Sequence, residues 1–304
     1  MDAQHTSLFG HTPVLSVSDM RLPLPCSDDL FECSSAFRWA FLSSRTPKPR
    51  QFLPALKALV GEQLIVTREV SGFGEFILLH GLLSLTTHLH AGGSTALKLG
   101  NSSENGAQGE DWKYTMSIAT ETWSFSLLSL QPSLCLEAAQ SLHRMTYIVF
   151  YTNTTELHII ARNCSEIDNL LQRKEAEKAE KRLRARGQGE EAKQAARHSL
   201  LMVKETLFTG KRYIARGDNI AWRPRCLYYA ILVLWAYGVV MANADALAVD
   251  CNRLIGAEEY VIRMLSALQG EMGGVSVVAS KTAGLVMAAA RALEGCRWAL
   301  LNEA

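Results

Sequence analysis

Apolar residues recur along this chain at helical spacing, and one stretch departs from the amphipathic rule altogether. From Cys226 to Ala244, within P-R-C-L-Y-Y-A-I-L-V-L-W-A-Y-G-V-V-M-A-N-A, only Asn243 is plainly polar, so a helix built from it has no side to give to water. It must be buried, either in a bilayer or in the middle of an all-helical domain. Its length reaches the roughly 20 apolar residues that span a bilayer, and Arg216, Arg223 and Arg225 flank one end while Asp245 and Asp250 flank the other. Against a span, Tyr228, Tyr229, Trp235 and Tyr237 are spread through the segment, whereas spanning helices keep such residues at the two interfaces. No second run of this length exists, which favours burial in protein.

The other elements are amphipathic. Residues 1–20 show no periodicity and read as a loosely held lead-in. Two prolines in Leu22–Pro25 impose extended backbone, after which Ser27, Asp28 and Asp29 offer caps and negative charge to a helix start. Asp29 and Glu32 have capping-box spacing, and the helix is expected to bury Leu30, Phe31 and Trp39. Phe52 to Val60 reads as a short helix with Leu53, Leu56 and Val60 on one face, and Phe73 to His90 as a longer one. The latter's stripe of Phe76, Leu79 and Leu83 is widened by Ile77, Leu78, Leu82 and Leu85, which implies contact on more than one side.

Residues 92–111, rich in Gly, Ser and Asn, read as a flexible loop. Helical spacing resumes from Trp112 to about Leu130, and again through Leu134, Ala138, Leu142, Met145 and Val149. A shorter helix covers Leu157, Ile160 and Ala161. Residues 172–198 are dense in charge, with Leu183 alone breaking the polar run, so they are expected as a solvated helix or partly disordered insertion that faces no core. Val261, Met264, Leu265 and Leu268 mark a helix ended by Gly270, and Thr282, Leu285, Ala289, Ala292, Cys296 and Leu300 mark the last one. No convincing period-2 strands or internal repeats occur. The fold class is therefore all-α: a multi-helix bundle with a fully buried central helix and two polar insertions, a single domain over residues 21–304.

Composition narrows the function without naming it. At 304 residues with 48% apolar and 20% charged side chains, the chain is globular. A net charge of +1 supplies no global field for nucleic acid, membrane or acidic ligands. The first residues lack a basic n-region and an apolar h-region, and seven cysteines without C-x-x-C spacing read as reduced thiols of the cytosol or nucleus. On that reading the N-x-S/T triplets at Asn101, Asn153 and Asn163 carry no weight.

Candidate chemistry is thin. Asp28-Asp29-Leu30-Phe31-Glu32 has the D-D-x-x-D/E pattern with which helical isoprenoid synthases hold magnesium and diphosphate. The carboxylates follow a proline turn, where they serve as helix-start charge, and no second acidic motif accompanies them. His88 and His90 lie about 200° apart on a helix and cannot share a metal, and His80 does not complete a site. His143 and His158 read as packed or solvated, and Cys26, Cys33, Cys135 and Cys164 as apolar thiols. The chain has no G-x-S-x-G, P-loop or dinucleotide fingerprint. Lys178–Arg186 is basic enough to touch phosphates or to serve in nuclear import, but its interleaved glutamates suit a solvated face.

Several strings together resemble the fungal-specific transcription factor regulatory domain, the helical region downstream of the zinc fingers in many fungal regulators. Leu24–Trp39 is similar to a family stretch reading L-P-C-x-D-x-L-W-E-A followed by a Ser/Thr-Ala pair and a Trp, with Phe31 and Cys33 in place of Trp and Ala. Phe76–Ser84, Leu142–Ala161 and Arg223–Gly238 are also similar, and together the matches run across about residues 20–300.

The resemblance implies a soluble, all-helical, non-enzymatic regulatory domain in which the central apolar helix is buried. It also implies a nuclear or cytoplasmic protein acting through transcription-machinery partners or a small effector. Zinc and DNA binding would belong to fingers that these residues do not contain, so the chain would read no DNA sequence by itself. A fragment, a truncated gene model and a paralogue without fingers all fit that pattern. Phe31, Trp39, His80, Tyr147, Trp235 and Tyr237 are expected in the core or pocket wall. The competing readings are a membrane-anchored helical protein, held by Cys226–Ala244, and an isoprenoid-synthase-like enzyme using Asp28, Asp29 and Glu32.

Overall fold

In a computed structural model the described residues are 6, 14–61, 70–90, 111–127, 134–163, 170–187, 189–210, 212–241, 255–270, 278–279 and 281–296. Among them the fold is all helical, without strands, and only an isolated bridge pairs Pro23 with Gln51. The helices are α1 (Asp28–Phe31), α2 (Ala36–Arg45), α3 (Phe52–Val60), α4 (Gly72–His90), α5 (Asp111–Ser126), α6 (Leu134–Tyr151), α7 (Thr154–Asn163), α8 (Leu170–Arg186), α9 (Glu190–Leu207), α10 (Arg223–Met241), α11 (Ala257–Leu268) and α12 (Ala283–Leu293). Their packing forms two compact units, Met1–His143 and Arg144–Ala304, where the sequence reading expects one domain over 21–304. The loop expected at 92–111 falls almost entirely outside the described residues.

In the first unit α4 packs against α3, α5 and the 3-10 turn Val17–Asp19, which explains why its apolar stripe is so wide. Leu79, Leu82 and Leu83 are fully enclosed, as are Leu56 of α3 and Trp123 of α5. Each such leucine contributes about 1.5–3 kcal/mol by leaving water.

The start of this unit departs from expectation. Instead of one helix burying Leu30, Phe31 and Trp39, there are two short ones, and Ser35 begins the second by accepting the Arg38 amide at its hydroxyl. Leu30 is buried, but Phe31 is 83% exposed and Trp39 49% exposed. A four-residue helix has room for one inward side chain, and Leu30 takes it. No residue of α2 is fully buried.

In the second unit α10 is the central rod, packed by α7, α9 and α12, while α11 closes against α9 and α12. It is long and apolar enough to cross a membrane, yet most of it is buried inside the protein. Pro224 sits in its first turn, where a missing amide hydrogen costs no helix bond.

The charged stretch 172–198 is folded into this unit. Ala176 and Ala179 of α8 are buried where that helix lies along α7, and Ala195 and Ala196 of α9 are buried as well. Alanines thus supply the buried side that the polar composition conceals. Glu156 of α7 ties the pair together through Arg182 at 2.6 Å and Arg186 at 3.9 Å.

Candidate functional site

Glu75 is the only acid in α4, and the fold encloses it. Its side chain is 6% exposed, and burial raises its carboxyl to about 7 against the opposing pull of a hydrogen bond to Ser126. One turn on, His80 places Nδ1 3.0 Å from the Phe76 carbonyl and its ring edge-on to Phe76. Burial holds its imidazole down at about 4, so it is a neutral packing group at physiological pH. Trp123 bridges the set, donating its indole hydrogen to the Glu75 main-chain oxygen at 2.9 Å and lying 5.3 Å from the His143 ring.

In the second unit the aromatic residues of α10 are packed into protein. The Tyr229 hydroxyl and His158 Nε2 of α7 are 2.6 Å apart, and burial pushes the phenol well above its ordinary range. Tyr147 is buried with its ring stacked on His198 at 4.1 Å. Tyr237 is buried, as is Tyr260 of α11, while Trp235 is half-buried. Of the residues expected in the core, Tyr147 and Tyr237 are therefore inside, His80 and Trp235 at its margin, and Phe31 and Trp39 outside it. Phe31, Trp39 and His80 belong to the first unit, and Tyr147, Trp235 and Tyr237 to the second.

A cavity of about 290 Å³ opens at the start of α10, lined in part by Arg216, Asp218, Asn219, Ile220, Pro224 and Cys296. Asp218 is the structural hub of its wall. It accepts the Tyr213 hydroxyl at 2.8 Å and the Ile220 amide at 2.9 Å, and pairs with Arg223 at 3.4 Å. The Asp218 side chain is only 4% exposed, so its charge is already committed. Arg216 is exposed at the rim and makes no ion pair among the described residues. The net offer to an occupant is one free guanidinium and one amide.

Of the three arginines flanking the apolar helix, Arg223 pairs with Asp218 and Arg225 is buried, with its pKa lowered by loss of water, while Arg216 is exposed. Asp28 has a local task too, accepting the Gly72 amide at the start of α4 at 3.4 Å. No group of three His, Cys, Asp or Glu side chains that could hold a metal occurs among the described residues. The sequence reading missed Glu75, Asp218 and the His158–Tyr229 pair. For Glu75 the signal was present as a lone acid inside a wide apolar stripe.

Comparison with known proteins follows the same line. Residues 1–125 match the family described as the fungal specific transcription factor domain. The chain is similar over all of its length to zinc finger protein klf1 of Schizosaccharomyces pombe, at 23% identity, and covers 39% of that protein. A nicotinate catabolism cluster-specific transcription factor of Emericella nidulans is 23% identical, with 36% of its length covered, and zinc finger protein zas1 of S. pombe is 24% identical, with 35% covered. The chain therefore spans well under half the length of these curated relatives. No solved structure matches it.

Proposed function

We propose that this chain is a non-catalytic regulatory region of a fungal zinc-finger transcription factor, controlling transcription through protein partners or a small effector. The observation that carries this reading is the end-to-end likeness to three proteins named as zinc finger proteins or transcription factors. It is supported by the burial of Glu75 and Tyr229, whose hydrogen bonds run to Ser126 and to His158 within the fold.

On this reading zinc and base recognition belong to fingers elsewhere in the full-length protein, and the site of action is the nucleus. The cavity at Arg216 is the place for an effector. Its volume and single unpaired guanidinium suit a small carboxylate, and nicotinate, which gives one relative's gene cluster its name, is a molecule of that kind.

The test is to join the chain to a heterologous DNA-binding domain in a fungal host carrying a matching reporter. A several-fold change in reporter output, up or down and lost with Trp123→Ala, is expected. A fusion that is expressed and nuclear yet leaves the reporter at the level of the DNA-binding domain alone contradicts the proposal.

A further inference from the structure

Helix α2 presents an outer face that its own unit leaves uncovered. At 100° per residue, Phe37, Phe41, Arg45 and Arg38 share an arc of about 100°, while Leu42 and Ser43, both half-buried, lie away from it on either side of Trp39, which is 49% exposed. Phe37 is 85% exposed and Phe41 50%. The Arg45 guanidinium stacks over the Phe41 ring, 4.5 Å from its centroid. Scattered exposed apolar residues are ordinary, but two phenylalanines one turn apart on one arc form a ridge.

The charge beside that ridge has one sign. Between Cys33 and Gly61 the chain carries Arg38, Arg45, Lys48, Arg50 and Lys57 and no carboxylate. Arg38, Arg45, Lys48 and Arg50 make no ion pair among the described residues. The nearest acids in the chain, Asp28 and Asp29 in α1 and Glu32 just after it, precede the first turn of α2, away from Arg45, Lys48 and Arg50.

We infer that the Phe37–Phe41 face of α2 docks an acidic amphipathic helix of a partner protein. Two or three apolar residues of that helix cover the rings, and its carboxylates meet Arg38 and the cations that follow Arg45. A second copy of the chain would set this positive surface against itself. An anionic bilayer would draw the Arg45 guanidinium, stacked on Phe41, into the acyl layer, whereas helices that lie on membranes keep their cations on the face away from the apolar one. The inference rests on α2 and the basic stretch that follows it, and goes beyond the regulatory reading.

Fluorescence anisotropy on the whole chain provides the test. The probe is a labelled synthetic helix of roughly 18 residues, long enough to hold its form, with Leu and Phe on one face and Glu on the other. Saturable binding is expected, falling with added salt. It should weaken at least ~10-fold in F37S/F41S and in R38E/R45E, with circular dichroism and melting temperature unchanged because these side chains are exposed. A probe with Lys in place of Glu should not bind.

Absence of saturable binding overturns the inference, as do equal binding of the Lys probe and wild-type affinity in both variants. Loss of self-association or of anionic-vesicle binding in F37S/F41S, with probe binding intact, overturns it as well by naming a different occupant. Failure here with a responsive reporter fusion would leave the regulatory reading standing. Success here with a silent fusion would do the reverse.

Discussion

Trp123 reaches back 48 residues to donate its indole hydrogen to the main-chain oxygen of Glu75, at 2.9 Å in a fully buried setting. That bond pins α5 to the first turn of α4 at the point where an acid is enclosed. Replacing Trp123 with Phe removes the donor and some volume and should cost about 1–2 kcal/mol. Trp123→Ala also leaves a cavity and should cost about 3–5 kcal/mol. Urea denaturation of the purified chain measures both.

Glu75 and His80 should give opposed pH dependences. The folded chain keeps the Glu75 proton up to about 7, against an ordinary value of 4.5. Its contribution to stability is therefore full below pH 4.5 and lost as pH rises through 7, on the order of 3 kcal/mol in total. His80 is held neutral down to about 4, against 6.5, so its contribution is full above pH 6.5 and lost as pH falls through 4. Over the shared window the two offset one another. Glu75→Gln should raise the melting temperature at pH 8, change little near pH 4, and expose the His80 slope between pH 6.5 and 4.

Two glycines of the second unit are there for contact, not for turning. A Cβ on Gly238 of α10 would run into the Ala279 carbonyl oxygen, and one on Gly284 of α12 into that of Ile255. Backbone cannot move aside as a flexible side chain does. Gly238→Ala and Gly284→Ala should each destabilise by about 1–3 kcal/mol. Gly217→Ala, with nothing within 4 Å of the added methyl, serves as the neutral control. Melting temperatures of the three variants decide the matter.

The Tyr229 hydroxyl lies 2.6 Å from His158 Nε2 across the α7–α10 contact. Tyr229→Phe keeps the ring and removes that bond, for an expected loss of about 1 kcal/mol. The same substitution in a His158→Ala background should cost much less, a coupling that a double-mutant cycle reads directly.

Much of this fold was legible because the sequence spaces its apolar residues at helical period. Leu134 to Val149 gave α6, Phe52 to Val60 gave α3 to the residue, and the even apolarity after Cys226 gave a rod, α10, that is mostly buried. What escaped was decided by partners distant in the chain. Ala176 and Ala179 look neutral in a run of charges and become buried only because α7 lies beside them. Phe31 and Trp39 look like core, but their short helices have no neighbour to bury them within the unit. Asp218 carries no local motif, since Tyr213, Ile220 and Arg223 collect around it through a turn and the start of α10.

The account depends most on α10 being wrapped by α7, α9 and α12 in a protein that needs no lipid. Amide hydrogen exchange on the chain purified without detergent tests this most directly. The amides of Ile231 to Val240 should be among the slowest to exchange, opening only with global unfolding. Fast exchange across α10 in water, with protection appearing only on adding lipid vesicles, would contradict it.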